Sequence, residues 1–156
     1  MHKNIFCLVK ADAPDLEEYS YDESDFYENA FVLANTDYVS DFDIPEAAIA
    51  NKMNNLPNYI ERTGERTFRY DIEKLREMFT QRYYTFKSMA QVMTPQQFME
   101  ESDELSLLEM CICDHCDDII YCEGFGTMWL DDFHRAVISG HVSSELALVG
   151  RVDCHM

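Results

Sequence analysis

The residues best suited to chemistry fall in one short run, CICDHCDDIIYC, from Cys111 to Cys122. Cys113 and Cys116 form a C-x-x-C pair, with Cys111, His115 and Cys122 close by. Thiolates at that spacing supply half of a tetrahedral zinc site. The second half normally stands at a distance, and the chain has no second C-x-x-C. Cys154, His155, His134 and His141 are available to complete one, at spacings that match no zinc ribbon or finger. On a continuous helix over 102–116, Cys113 and Cys116 share a face, as do Cys111 and His115. Helical Cys residues also serve as small core hydrophobes. Asp114, Asp117 and Asp118 raise neighbouring thiol pKa values, which disfavours redox chemistry. Cys111, Cys113, Cys116 and Cys122 are therefore carried as candidate ligands of a structural zinc, with buried core cysteines as the alternative.

Two further runs offer less. EGFGT, residues 123–127, has two glycines before an expected helix, as in phosphate-binding turns. It lacks the Gly-Lys-Ser/Thr that would complete such a loop, and its acidic neighbours repel phosphate. His134 stands near Asp131, Asp132 and Ser139, but no nucleophile elbow, His-Glu-x-x-His or calcium loop accompanies them. No catalytic residue is assigned, and the expectation is a protein that is not an enzyme.

The largest chemical display is acidic. No Lys, Arg or His occurs between Lys10 and Lys52, and twelve carboxylates do. Aromatic rings are interleaved with them: Tyr19, Tyr21, Phe26, Tyr27, Phe31, Tyr38 and Phe42. Duplex DNA presents one negative charge per roughly 1.7 Å of axis, and phosphate contacts dominate the affinity of proteins that bind it. Carboxylates fixed along a surface offer a basic groove the same target, provided something holds them against mutual repulsion. Burying a ring contributes roughly 1.5–3 kcal/mol, more than a screened surface repulsion costs. The rings can thus anchor the backbone that carries the acids. Rings left exposed can stack on a partner's arginines. The carboxylates singled out are Asp22, Glu23, Asp25, Glu28, Asp37, Asp41 and Asp43, with Glu100, Glu101, Asp103 and Glu104 as a second set. The bland alternative is an acidic protein whose charge keeps it dispersed.

The elements that must position these residues follow from pattern. Ile5–Val9 reads as a first strand, and Pro14 with Glu17 and Glu18 suggests a short helix. The segment around Phe26, Phe31 and Leu33 fits a helix or a strand. Asp43 or Ile44 caps a helix with Pro45 in its first turn and Ile49, Met53 and Leu56 on one face, ended by Pro57. Residues 61–67 read as a polar turn around Gly64. The clearest helix is 71–93, striped by Ile72, Leu75, Phe79, Tyr83, Phe86, Ala90 and Met93. That stripe is either a core face or the seam of a homodimer. Thr94-Pro95 opens another helix, and a further apolar run holds Leu105, Leu108 and Ile112. A strand over DDIIYCEG, a helix capped by Thr127 and closed by Gly140, and a last strand over Glu145–Val152 complete the chain. The expectation is one α+β domain over residues 1–156, with four or five helices and a small sheet.

Bulk properties agree. The chain has 156 residues, 47% of them hydrophobic, which is enough for a core and too much for a disordered acidic tail. The net charge of −18 is uneven: −10 over residues 1–51, +3 over 52–87 and −11 over 88–156. It argues against direct contact with nucleic acid or an anionic membrane and points to a basic partner. No signal peptide or membrane span is evident, so a cytoplasmic protein of its host cell is expected, with its six Cys as thiols or metal ligands.

In size, composition and charge the chain resembles the small acidic inhibitors that bacteriophages and mobile elements make against restriction and CRISPR nucleases. That likeness of character transfers no residues. It implies an inhibitor that docks acidic surfaces on a nucleic-acid-binding protein such as a CRISPR effector or restriction enzyme, by DNA or RNA mimicry. The alternative is a zinc-stabilised interaction adaptor built on the Cys111–Cys122 cluster.

Overall fold

The structure, a computed structural model, describes residues 2–40, 45–100, 103–112 and 118–155. It divides into two compact units, Met1–Ile72 with Asp117–Met156, and Glu73–Cys116. The α+β expectation holds. Among the described residues there are six α-helices, and the sheet has seven strands, more than the small sheet expected.

The first unit is built on that sheet. Strand β1, His2–Lys10, is central. It pairs in parallel with β5, Asp118–Cys122, and antiparallel with β7, Glu145–His155. These are the three strands read from the sequence, each an apolar run rich in Ile, Val and Leu. Four short strands extend them. Ile60–Arg62 (β3) and Thr67–Tyr70 (β4) form a hairpin around Gly64, and β4 pairs with the start of β7. Tyr38–Ser40 (β2) pairs with the end of β7. Gly126–Trp129 (β6) pairs with β5. The order is β3-β4-β7-β1-β5-β6.

Alternation along the strands gives the sheet two apolar faces. On one, Ile5, Cys7 and Val9 join Ile119, Ala147, Val149, Val152 and Cys154 in a core that also takes in Phe26 and Val32. A register shift between Cys7 and Leu8 opposes the extra residue Val149 and keeps both strands' apolar sets inward. On the other, Phe6, Leu8, Ile120 and Leu148 lie beneath Met53 of α2, Pro45–Asn54, and Leu130 and His134 of α6, Leu130–Ile138.

Two local expectations are corrected and one ambiguity is resolved. Residues 14–18 form turns rather than a helix, with Asp15 at φ 52, a left-handed conformation that breaks a helix. The ambiguous segment resolves into a 3₁₀ turn, Glu23–Phe26, and a short helix α1, Ala30–Asn35. Thr127 does not cap a helix: it lies in β6, and α6 starts after Trp129 without a side-chain cap. The cap expected at Asp43 or Ile44 lies outside the described residues.

The second unit is helical. Ile72–Val92 forms α3, whose first residue ends the preceding unit, followed by α4, Pro95–Met99, and α5, Asp103–Ile112. Thr94 and Gln97 form a reciprocal capping box on α4. Arg82 donates from Nη2 to the Met110 carbonyl at 3.3 Å, tying α3 to α5. Among this unit's described residues only Leu75 and Leu108 are buried.

Candidate functional site: an acidic layer on an aromatic floor

The acidic stretch lies over one face of the sheet. Its rings turn inward: Phe26 is 1% exposed, and Leu16, Tyr19, Tyr21 and Phe31 pack half-buried against the same core. Tyr21 and Phe26 meet Tyr121 of β5 edge-on, with ring centroids 5.3 and 5.6 Å away. Phe31 meets Trp129 of β6 at 5.3 Å. Such edge contacts are favourable because ring edges are positive and ring faces negative. Two expected anchors do not serve. Tyr27 and Tyr38 are 53% and 55% exposed. Phe42 lies outside the described residues.

The carboxylates turn outward and several are held. Asp22 caps the 3₁₀ turn: its side chain accepts from the Ser24 N–H at 2.8 Å, while its own N–H donates to Asp25 Oδ2 at 2.8 Å. The Tyr27 hydroxyl donates to Glu23 Oε1 at 2.6 Å. The Asn29 side chain caps α1 by accepting from the N–H groups of Phe31 and Val32, both at 3.1 Å, and donates to Thr127 Oγ1 at 2.7 Å. The hydrogen bonds from the Ser24 hydroxyl and backbone hold the Asp22 carboxyl below its ordinary pKa. Burial, then the Glu123 carboxylate, pushes the Tyr19 hydroxyl up. Asp12, Asp15, Glu17, Glu18, Asp22, Asp25, Glu28 and Asp37 are all exposed along this segment.

Asp22, Glu23, Asp25 and Glu28 are thus brought together on one turn and its exit, with Asp37 at the entry to β2. The Asp37 N–H donates to the His155 carbonyl at 2.6 Å, which fixes its backbone to β7. Asp41, Asp43 and Glu101 lie outside the described residues. The rest of the second set belongs to the helical unit. Glu100 ends α4 and accepts from Gln96 Nε2 at 2.9 Å. Asp103 and Glu104 stand in the first turn of α5, where carboxylates suit the helix dipole.

Two of the four candidate zinc ligands fall within the described residues. Cys111 is half-buried near the end of α5, Cys122 is buried in β5, and the two belong to different units. Cys113 and Cys116 lie outside the described residues. Burial, then Glu123, pushes the Cys122 thiol up to about 11.

The opposite face of the sheet holds a cavity of about 60 Å³ under Met53, Leu56, Tyr59, Tyr70 and His134. That is room for about two water molecules. At its rim Lys52 Nζ pairs with Asp118 Oδ2 at 3.0 Å. The Asn4 amide donates to Asp118 Oδ1 at 3.1 Å, and Arg151 Nη2 donates to Asn4 Oδ1 at 2.8 Å. This chain of polar contacts across β5, β1 and β7 was not foreseen, because its members are far apart in sequence and only strand pairing makes them neighbours. His134 is buried edge-on to Tyr59 and Tyr70, Asp132 pairs with Arg135 at 3.0 Å, and Ser139 Oγ lies 2.6 Å from His141 Nδ1. Comparison with protein-family models, with curated proteins and with solved structures gives no match.

Proposed function

We propose that this chain is a non-enzymatic inhibitor or binding protein whose acidic layer occupies a basic nucleic-acid-binding groove, such as that of a CRISPR effector or restriction enzyme. The observation that carries the reading is the layer over residues 12–37, in which rings pack on the sheet and the acids face outward. A nucleic-acid mimic requires carboxylates held on a surface with no bases among them. Residues 11–40 contain no Lys, Arg or His, and the Asp22–Asp25 box and the Tyr27–Glu23 bond hold three of the acids in place. The test is capture of a basic nuclease followed by a salt titration. Affinity should fall steeply with salt, and DNA or guide RNA should compete. A complex of undiminished affinity from about 50 to 200 mM salt, a range over which phosphate-type contacts lose orders of magnitude, would remove the reading.

The helical unit supports a second part of the proposal, self-association. Tyr83, Tyr84, Val92, Phe98, Met99, Leu107, Met110 and Ile112 are each more than half exposed. They include rings and long apolar side chains of the kind enriched at interfaces, a standard one of which buries about 800 Å² per partner. Charge is segregated as well. Helix α3 carries four bases, Lys74, Arg76, Arg82 and Lys87, against two acids, Glu73 and Glu77, whereas α4 and α5 with their connecting residues carry acids and no base. A two-fold pairing can therefore set α3 of one copy against α5 of the other. Sedimentation velocity should show a concentration-dependent dimer, which Leu107→Glu with Met110→Glu should reduce to monomer. A wild-type chain that stays monomeric at about 100 µM, where interfaces of this size are normally occupied, would end this part.

A further inference from the structure

Beside the acidic turn lies a groove of about 330 Å³ with an apolar floor of Phe26, Val32 and Val39. Its walls include Tyr27, Leu33 and Tyr38, all more than half exposed, and Asp37. Isolated exposed apolar residues need no explanation, but three converging on one groove mark a place where something binds. The charge around it selects the occupant. No lining residue is basic, Asp37 presents an exposed carboxylate, and Glu23 Oε1 sits 2.6 Å from the Tyr27 hydroxyl. An apolar segment entering here would strip water from these carboxylates without pairing them, at a cost. A lysine would satisfy the charge but present no flat surface to the rings.

We propose that this groove receives an arginine side chain of a protein partner. The inference rests on the acidic-layer reading above and sharpens it from a diffuse field to a defined contact. The methylene stem of arginine lies along the apolar floor. Its planar guanidinium stacks on a tyrosine face and donates paired hydrogen bonds to a carboxylate, two contacts an ammonium cannot reproduce together. Tyr38 is pre-oriented for this: one face stacks on His155 at 4.3 Å, and the His155 carbonyl accepts from the Asp37 N–H at 2.6 Å, so the ring and the backbone that carries the carboxylate are fixed to the same strand. Tyr27 is likewise steadied by its bond to Glu23.

The probe is a capped peptide, acetyl-Gly-Arg-Gly-Arg-Gly-amide, and its lysine counterpart, titrated at low salt into the isotopically labelled full chain. The arginine peptide should bind about two- to fivefold more tightly, the ratio that an exposed cation–π contact corresponds to. It should shift the amides of Tyr27, Leu33 and Tyr38. Tyr27→Leu with Tyr38→Leu should erase the preference, so that the two peptides bind the variant equally. Both rings are largely exposed, so the variant should keep the fold, which circular dichroism checks. Equal binding of the two peptides, or shifts confined to other parts of the acidic layer, would overturn the groove while leaving the broader reading intact. Binding of neither peptide, together with capture of no basic protein, would overturn both.

Discussion

At the scale of single residues, close packing and capping decide where the acidic layer sits. Gly150 of β7 is one such point. A Cβ added there would lie 3.1 Å from both Cys7 Cβ and Tyr21 Cβ, so the sheet and the stretch above it touch across a glycine. Gly150→Ala should destabilise the fold by about 1–3 kcal/mol, the usual cost of overpacking, measurable by urea unfolding. Asp22 gives a pH test. Its carboxyl is held below its ordinary pKa by Ser24, so its contribution is present above the unfolded value and lost as pH falls through the folded one. A carboxyl titration followed by NMR should place Asp22 below the ordinary aspartate value, and Ser24→Ala should raise it. The thiols act in the opposite sense. Burial raises Cys122 and Cys154 from 9.0 to about 11. The unfolded chain releases those protons first, so stability should fall as pH rises from about 9 to 11. At neutral pH a thiol-specific reagent should reach half-buried Cys111 long before Cys7, Cys122 or Cys154.

At the scale of elements, the layer over residues 12–37 stands or falls with its buried ring. Phe26 sits between the 3₁₀ turn and Tyr121 at 1% exposure. Phe26→Ala should cost about 3–5 kcal/mol. It should also raise amide exchange across Asp22–Asn35 more than in β1, since the turn and α1 lose their common anchor. The order of magnitude explains why the stretch folds at all. One such ring outweighs several exposed carboxylate repulsions, each worth no more than about 1 kcal/mol. The helical unit shows the reverse condition. Its helix α4 is capped at Thr94, yet with only Leu75 and Leu108 buried among its described residues the unit retains exposed apolar side chains, the surface on which the proposed self-association rests.

At the scale of the molecule, the decisive property is a charge of −18 distributed in blocks. Replacing Asp22, Glu23, Asp25 and Glu28 by their amides should flatten the salt dependence of partner binding. Asparagine at position 22 still caps the turn, so the fold should survive the change and the effect should report on charge. Metal analysis of the purified chain addresses the zinc-adaptor alternative: the acidic-layer reading expects zinc far below one ion per chain, and a stoichiometry near one would favour the cysteine cluster instead. Among the described residues no helix is long and apolar enough to cross a membrane.

The sequence alone determined what local physics controls. Strands β1, β5 and β7 announce themselves as β-branched and aliphatic runs, α3 as a long amphipathic stripe and α4 by its Thr94-Pro95 start, because each signal lies within the element itself. The α+β class and the acidic, ring-studded character of the opening stretch follow from the same local signals. The tertiary structure decided the rest. Strands β2, β3, β4 and β6 have only three or four residues each and exist through backbone pairing, β2 and β4 with distant β7, β3 and β6 with the neighbouring strand of a hairpin. Too few side chains alternate in them to leave a pattern, which is why Thr127 looked like a helix cap. The same limit governs the candidate site. Sequence showed rings among acids, but not which rings would find Tyr121 and Trp129 beneath them and which, like Tyr27 and Tyr38, would stay exposed beside Asp37. Burial is a property of the facing surface, and that surface is assembled from β1 together with strands more than eighty residues away.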